Sequence, residues 1–117
     1  MAERDIQHDI RLAVGSMPGV VLWRNQAGAA QTPGGWVRYG LCPGSADLIG
    51  IVAPHGRFLA LEVKGPHGRA SAEQVMFLAL VERMGGVGEV VRSVEEATAA
   101  VVRARMPAAS PAPERRG

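Results

Sequence analysis

Lysine is almost missing from this 117-residue chain: of thirteen Lys and Arg residues, twelve are arginine, and the exception is Lys64. Cysteine is equally scarce. A lone Cys42 excludes an internal disulfide, and with three scattered histidines it leaves no ligand set for a structural zinc site. Aromatic residues make up only 4% of the chain. No apolar run approaches the roughly 20 residues needed to span a bilayer, so a membrane role is not expected. The first residues, Met1 to Asp5, mix acids with bases and no apolar core follows them, which argues against secretion and for a cytoplasmic setting. The net charge of +2 is compatible with a polyanionic partner without requiring one.

What is present reads as one domain over 1–105 followed by a Pro/Ala tail over 106–117 that is expected to be disordered. Ile6, Ile10 and Val14 recur at helical spacing, so residues 3–15 form a helix, stopped by Gly15 and Pro18. Residues 19–24 are a β-branched strand. The Gly- and Pro-rich stretch 28–35 reads as a loop, and 36–39 as a short strand. Strands at 47–52 and 57–64 flank an Ala53-Pro-His-Gly56 turn. A helix over 72–84, a strand over 88–92 and a helix over 94–105 complete the order α-β-β-β-β-α-β-α, an α/β protein with a mixed sheet covered by helices.

The only lysine belongs to the most informative feature, Asp47…Glu62-x-Lys64. A turn centred on Pro54 and His55 pairs Val52 with Arg57, and hence Asp47 with Glu62. Directly opposed side chains point to the same side, with Cβ atoms about 4.5–5.5 Å apart. Period-two alternation adds Lys64, with Ile49, Ile51, Phe58 and Ala60, to that face. Leu48, Val52, Leu59, Leu61 and Val63 form the other, so the hairpin is expected to be central and covered on both sides. A bland reading of the charged end is a solvated rim. Against it, like charges placed opposite each other destabilise a sheet, and glycine-rich segments on both sides leave room for a ligand. Two adjacent carboxylates suit a hard divalent ion such as Mg²⁺. Arginine carries a fixed planar charge, whereas lysine offers a compact ammonium that can stand beside a metal and orient a water.

These residues resemble the PD-(D/E)xK nuclease signature, and the wider pattern resembles the virus-type replication-repair nuclease (VRR-NUC) domain. The pieces that carry the resemblance are Glu3 with Ile6-Gln7, Trp23-Arg-Asn25, Gly40-Leu-Cys-Pro-Gly44-Ser-Ala-Asp47, Phe58 to Lys64, and Ser71-x-x-Gln74. Ser45 departs from the pattern by shifting the turn proline to Pro43. The resemblance implies a restriction-endonuclease-like fold and metal-dependent hydrolysis of DNA phosphodiester bonds. It implies that Asp47, Glu62 and the backbone carbonyl of Val63 bind Mg²⁺, for which Mn²⁺ can substitute, and that Lys64 positions the attacking water. Glu3 would complete the acidic cluster and Gln74 would orient the site. It further implies a homodimer acting on double-stranded or branched DNA such as four-way junctions, in a bacterial or phage-type setting. The competing functions are a non-catalytic DNA-binding module of the same fold and a restriction-type subunit that needs a partner.

Several of these residues also have structural explanations. Glu3 complements the dipole of a helix N-terminus. Ser71 and Gln74 have capping-box spacing. Arg24, Asn25 and Gln26 fit phosphate contacts or plain exposed polarity. His67 and Arg69 read as solvated loop residues ahead of nucleic-acid contacts, and Trp23, Trp36 and Tyr39 as core or dimer contacts ahead of base-stacking platforms.

Overall fold

A computed structural model describes residues 2–109 of the chain. In order it carries α1 (Glu3–Gly15), β1 (Val20–Arg24), β2 (Gly28–Thr32), β3 (Gly35–Tyr39), β4 (Leu48–Val52), β5 (Arg57–Val63), α2 (Ala72–Arg83), β6 (Val87–Val91) and α3 (Val94–Ala104). The tail expected to be disordered lies outside the described residues from 110 onward, and 106–109 form neither helix nor strand.

The main sheet has the order β1-β4-β5-β6. β4 pairs antiparallel with β1 and β5, whereas β5 and β6 run parallel, so the sheet is mixed. A parallel neighbour needs a crossover, which α2 supplies. The β4–β5 register places Val52 opposite Arg57 and Leu48 opposite Leu61, as the turn dictates. The architecture is α/β and restriction-endonuclease-like, with helices flanking a mixed sheet.

Alternation sorts the side chains into two cores. Leu48, Val52, Leu59, Leu61 and Val63 are buried with Ile6, Ile10 and Val14 of α1 and the small residues Ala97, Ala100 and Ala104 of α3. On the other face a smaller cluster joins Ala46 and Ala60 to Leu78 and Val81 of α2. Both helices after β5 start from serine caps. Ser71 and Gln74 form a reciprocal capping box, and Ser93 accepts from the Glu96 N–H.

Two expectations need correction. Residues 28–32 form a strand rather than a loop, so the order holds one more β element than expected. β2 pairs with β3 as a separate two-stranded ribbon outside the main sheet. Gly-Ala-Ala-Gln-Thr has little β-propensity, and the Pro33-Gly34 turn that closes the ribbon is also a loop signal. Second, the hairpin is central but covered fully on one face only. On the Asp47/Glu62 face α2 covers Ala60 and Val90, while Trp23, Ile51 and Phe58 stay 51%, 42% and 37% exposed. One twelve-residue helix is too narrow to roof four strands.

Candidate active site

The charged face lies where β5 runs out. Glu62 is the penultimate residue of β5, between strands on both sides, and is 1% exposed. Asp47 immediately precedes β4, and its Oδ2 accepts a hydrogen bond from the Val63 N–H at 3.1 Å. That bond fixes the Asp47 carboxyl at the end of β5, where its negative charge raises the pKa of Glu62. Lys64 follows on the same side, with Nζ 3.8 Å from Glu62 Oε2. Its own N–H donates to the Val91 carbonyl at 3.1 Å, tying the end of the strand to β6. The structure therefore brings Asp47, Glu62 and Lys64 together on one face. Val63 meets the site through its backbone, and its side chain is buried in the opposite core.

The electrostatics of this end are unbalanced. Neither oxygen of Glu62 accepts a hydrogen bond, and among the described residues they are the buried side-chain polar atoms without a partner. A distance of 3.8 Å makes Lys64 a charge neighbour rather than a hydrogen-bond donor. Burial, followed by the adjacent Asp47 carboxyl, pushes the Glu62 pKa from 4.5 up to about 8, and Lys64 offsets only part of this. A buried Glu62 with neither oxygen hydrogen-bonded, next to the Asp47 carboxyl, requires either a proton or a cation. The pair and its hard oxygen donors thus fit a divalent ion. Among the described residues no group of three His, Cys, Asp or Glu side chains stands close enough to hold a metal. Any remaining ligands would come from backbone, water or substrate.

Glu3 is exposed at the start of α1, beside Gly65. It is near enough for its charge to raise the Glu62 pKa, as the weakest contributor, and its first-turn position also complements the helix dipole. Gln74 sits at the start of α2. Its Oε1 accepts the Ser71 N–H at 2.8 Å, so the capping half of its expected duties is present and only its amide nitrogen is left to donate elsewhere. His67 and Arg69 lie exposed in the loop after Lys64, and Arg24 is exposed at the end of β1. Trp23, Trp36 and Tyr39 are not core residues: all three are exposed.

Sequence reasoning missed the part played by Asn25. It is 8% exposed, and its Nδ2 donates at 2.8 Å to both Ser45 Oγ and the Ala46 carbonyl. Its Oδ1 accepts the Leu41 N–H at 3.2 Å, and its N–H donates to the Asp47 carbonyl at 2.7 Å. One amide therefore clasps the whole loop that delivers Asp47. The available signal was a carboxamide directly after a strand, which reads equally well as an exposed polar residue. Gly44 in the same loop has φ of +80°, and a Cβ there would lie 2.8 Å from the Glu73 backbone. The loop thus rests directly on the N-terminus of α2.

A search of curated proteins finds no match. Comparison with protein families matches the VRR-NUC domain over residues 26–95, which is more than half of the chain and includes Asp47, Glu62, Lys64 and Gln74. The match agrees with the motif and with the sheet that carries it, and the chain belongs to the VRR-NUC family, a nuclease domain of the PD-(D/E)xK type.

Proposed function

We propose that this protein is a Mg²⁺-dependent endodeoxyribonuclease, with Mn²⁺ able to substitute, acting on double-stranded or branched DNA as a homodimer. The observation that carries the reading is the buried, unpartnered Glu62 carboxylate facing Asp47 beside the only lysine. In this reading Asp47, Glu62 and the Val63 carbonyl hold the ion. When bound, it supplies Lewis-acid charge for the phosphoryl oxygens and an activated water. Lys64 would donate a hydrogen bond to the attacking water and place positive charge where the scissile phosphate gains negative charge. Glu3 adds negative charge from α1, and the free amide nitrogen of Gln74 donates toward the substrate. The half-covered sheet face, with Trp23, Ile51 and Phe58 exposed, is consistent with self-association, and two paired active sites would let both strands be cut in one complex.

The test is a panel of labelled duplex, single-stranded, flap and four-way-junction DNA with Mg²⁺ or Mn²⁺, comparing wild type with Glu62→Ala, alongside sedimentation of the protein. Divalent-dependent cleavage that disappears in Glu62→Ala is expected, most strongly on duplex or branched substrates and from a species of twice the chain mass. Undiminished cutting in excess chelator would overturn the assignment.

A further inference from the structure

The β2–β3 ribbon has no internal support. A two-stranded hairpin is marginal by itself in water, yet residues 28–32 and 35–39 are exposed throughout, and the ribbon stands apart from the main sheet. Both roots lead to the acids. The chain enters it from Asn25, which clasps the Asp47 loop, and leaves it through Gly40 into that loop. Gly40 has φ of +83°, and a Cβ there would strike Ala27, so the two roots cross backbone against backbone. The register places Gln31 opposite Trp36 and Ala29 opposite Arg38, which gathers Gln31, Trp36 and Arg38 on one face. Val37 and Tyr39 lie on the other. Trp36 is 71% exposed. A cleft of about 400 Å³ lies between the ribbon root and residues 40–44, with Arg38 in its wall.

We infer that this ribbon is a DNA-contacting arm, with Arg38 on a phosphate and Trp36 and Gln31 against sugar or base, holding the duplex beside Asp47. Charge complementarity decides the occupant. Between Asp9 and Asp47 the chain has no Asp or Glu, while it carries Arg11, Arg24 and Arg38. A two-stranded β-ribbon fits the major groove of B-DNA. A cation and an indole side by side are suited to a phosphate contact and to apolar packing against sugar or base edges. The inference rests on the nuclease reading above and adds to it the surface that grips the substrate.

The experiment measures fluorescence anisotropy of labelled duplex and four-way-junction DNA in chelator, and Mg²⁺-dependent cleavage of the same substrates. It uses wild type, Trp36→Ala, Arg38→Ala and, on the opposite ribbon face, Val37→Ser. Melting temperatures serve as the folding control. Trp36→Ala is expected to bind about tenfold more weakly, as the loss of one large aromatic contact. Arg38→Ala is expected to lower the slope of log Kd against log salt by about one. Both should raise KM more than they lower kcat, with Val37→Ser unchanged. If wild type cuts DNA while Trp36→Ala and Arg38→Ala keep its KM and salt slope, the arm is refuted and the nuclease stands. If wild type neither binds nor cuts, both fall. If the ribbon variants halve the sedimenting mass and leave the DNA affinity of each chain intact, the arm binds a second copy and the inference is overturned.

Discussion

At the turn end of the β4–β5 hairpin, Arg57 donates to four backbone carbonyls, those of Gly85, Gly86, Arg103 and Met106, at 2.9–3.3 Å. These carbonyls lie where α2 and α3 finish, and a guanidinium with five donors in a fixed fork can collect them together. At the open end of the same hairpin, Glu62 is buried with both oxygens unfilled. One end has every charge answered from within the chain. The other holds a buried carboxyl to which no group of the described residues donates a hydrogen bond. The contrast separates a residue kept for folding from one kept at the expense of folding. A cavity of about 530 Å³ beside Arg57, walled by Phe58, Leu80 and Met84, shows that available space alone does not locate the chemistry.

The largest effects are expected from breaking the open end. Lys64→Ala should lower kcat by about 10²–10³-fold, the usual loss when a transition-state donor is removed, with DNA affinity retained in anisotropy. Lys64→Arg should not rescue it, because a planar fork cannot replace a compact ammonium. Wild-type turnover in either variant removes Lys64 from the site.

Breaking the turn end should do the opposite. Arg57→Ala leaves four carbonyls short of a charged donor and should cost about 2 kcal/mol of stability in denaturant titrations, with kcat unchanged. A fall in kcat at constant fold would show that the two ends are not independent.

The pH dependence sharpens the contrast. An acid whose folded pKa is raised from 4.5 to about 8 holds its proton more tightly in the native state than in the unfolded chain. It therefore destabilises the metal-free fold increasingly as pH rises through that window, and not below 4.5. Glu62→Gln, melted in chelator, should match wild type below pH 4.5 and exceed its Tm above pH 8. Added Mg²⁺ should stabilise wild type at the upper end and leave Glu62→Gln unmoved. Superimposable melting profiles would mean that Glu62 is not strained.

The smallest effect separates the two atoms of one amide. Gln74→Glu preserves the capping box, so Tm should stay constant. It exchanges a donor for a negative charge, so cleavage should fall several-fold. Gln74→Ala should lose about 1 kcal/mol of stability as well. Unaltered cleavage by both would leave Gln74 as a cap alone.

The sequence carried the hairpin register because a single Pro-His turn determines every pair beyond it, and the observed Val52–Arg57 pairing follows from it. The helices were legible from apolar spacing and from their serine caps. β2 was not, because Gly, Ala, Gln and Thr acquire a strand conformation there only through their partners in β3. Coverage of the acidic face was overestimated, since alternation shows which residues share a face but not how wide a helix lies over them. The Asn25 clasp and the Arg57 clamp depend on carbonyls contributed from distant segments, and no local pattern marks them.

Gly44 ties these observations into one mechanical unit. Because it lacks a methyl group, the loop that presents Asp47 can lie against the first turn of α2, with bare peptide between them. Any larger residue at that position would act as a wedge, prying the helix from the loop and widening the jaws while every charged group kept its identity.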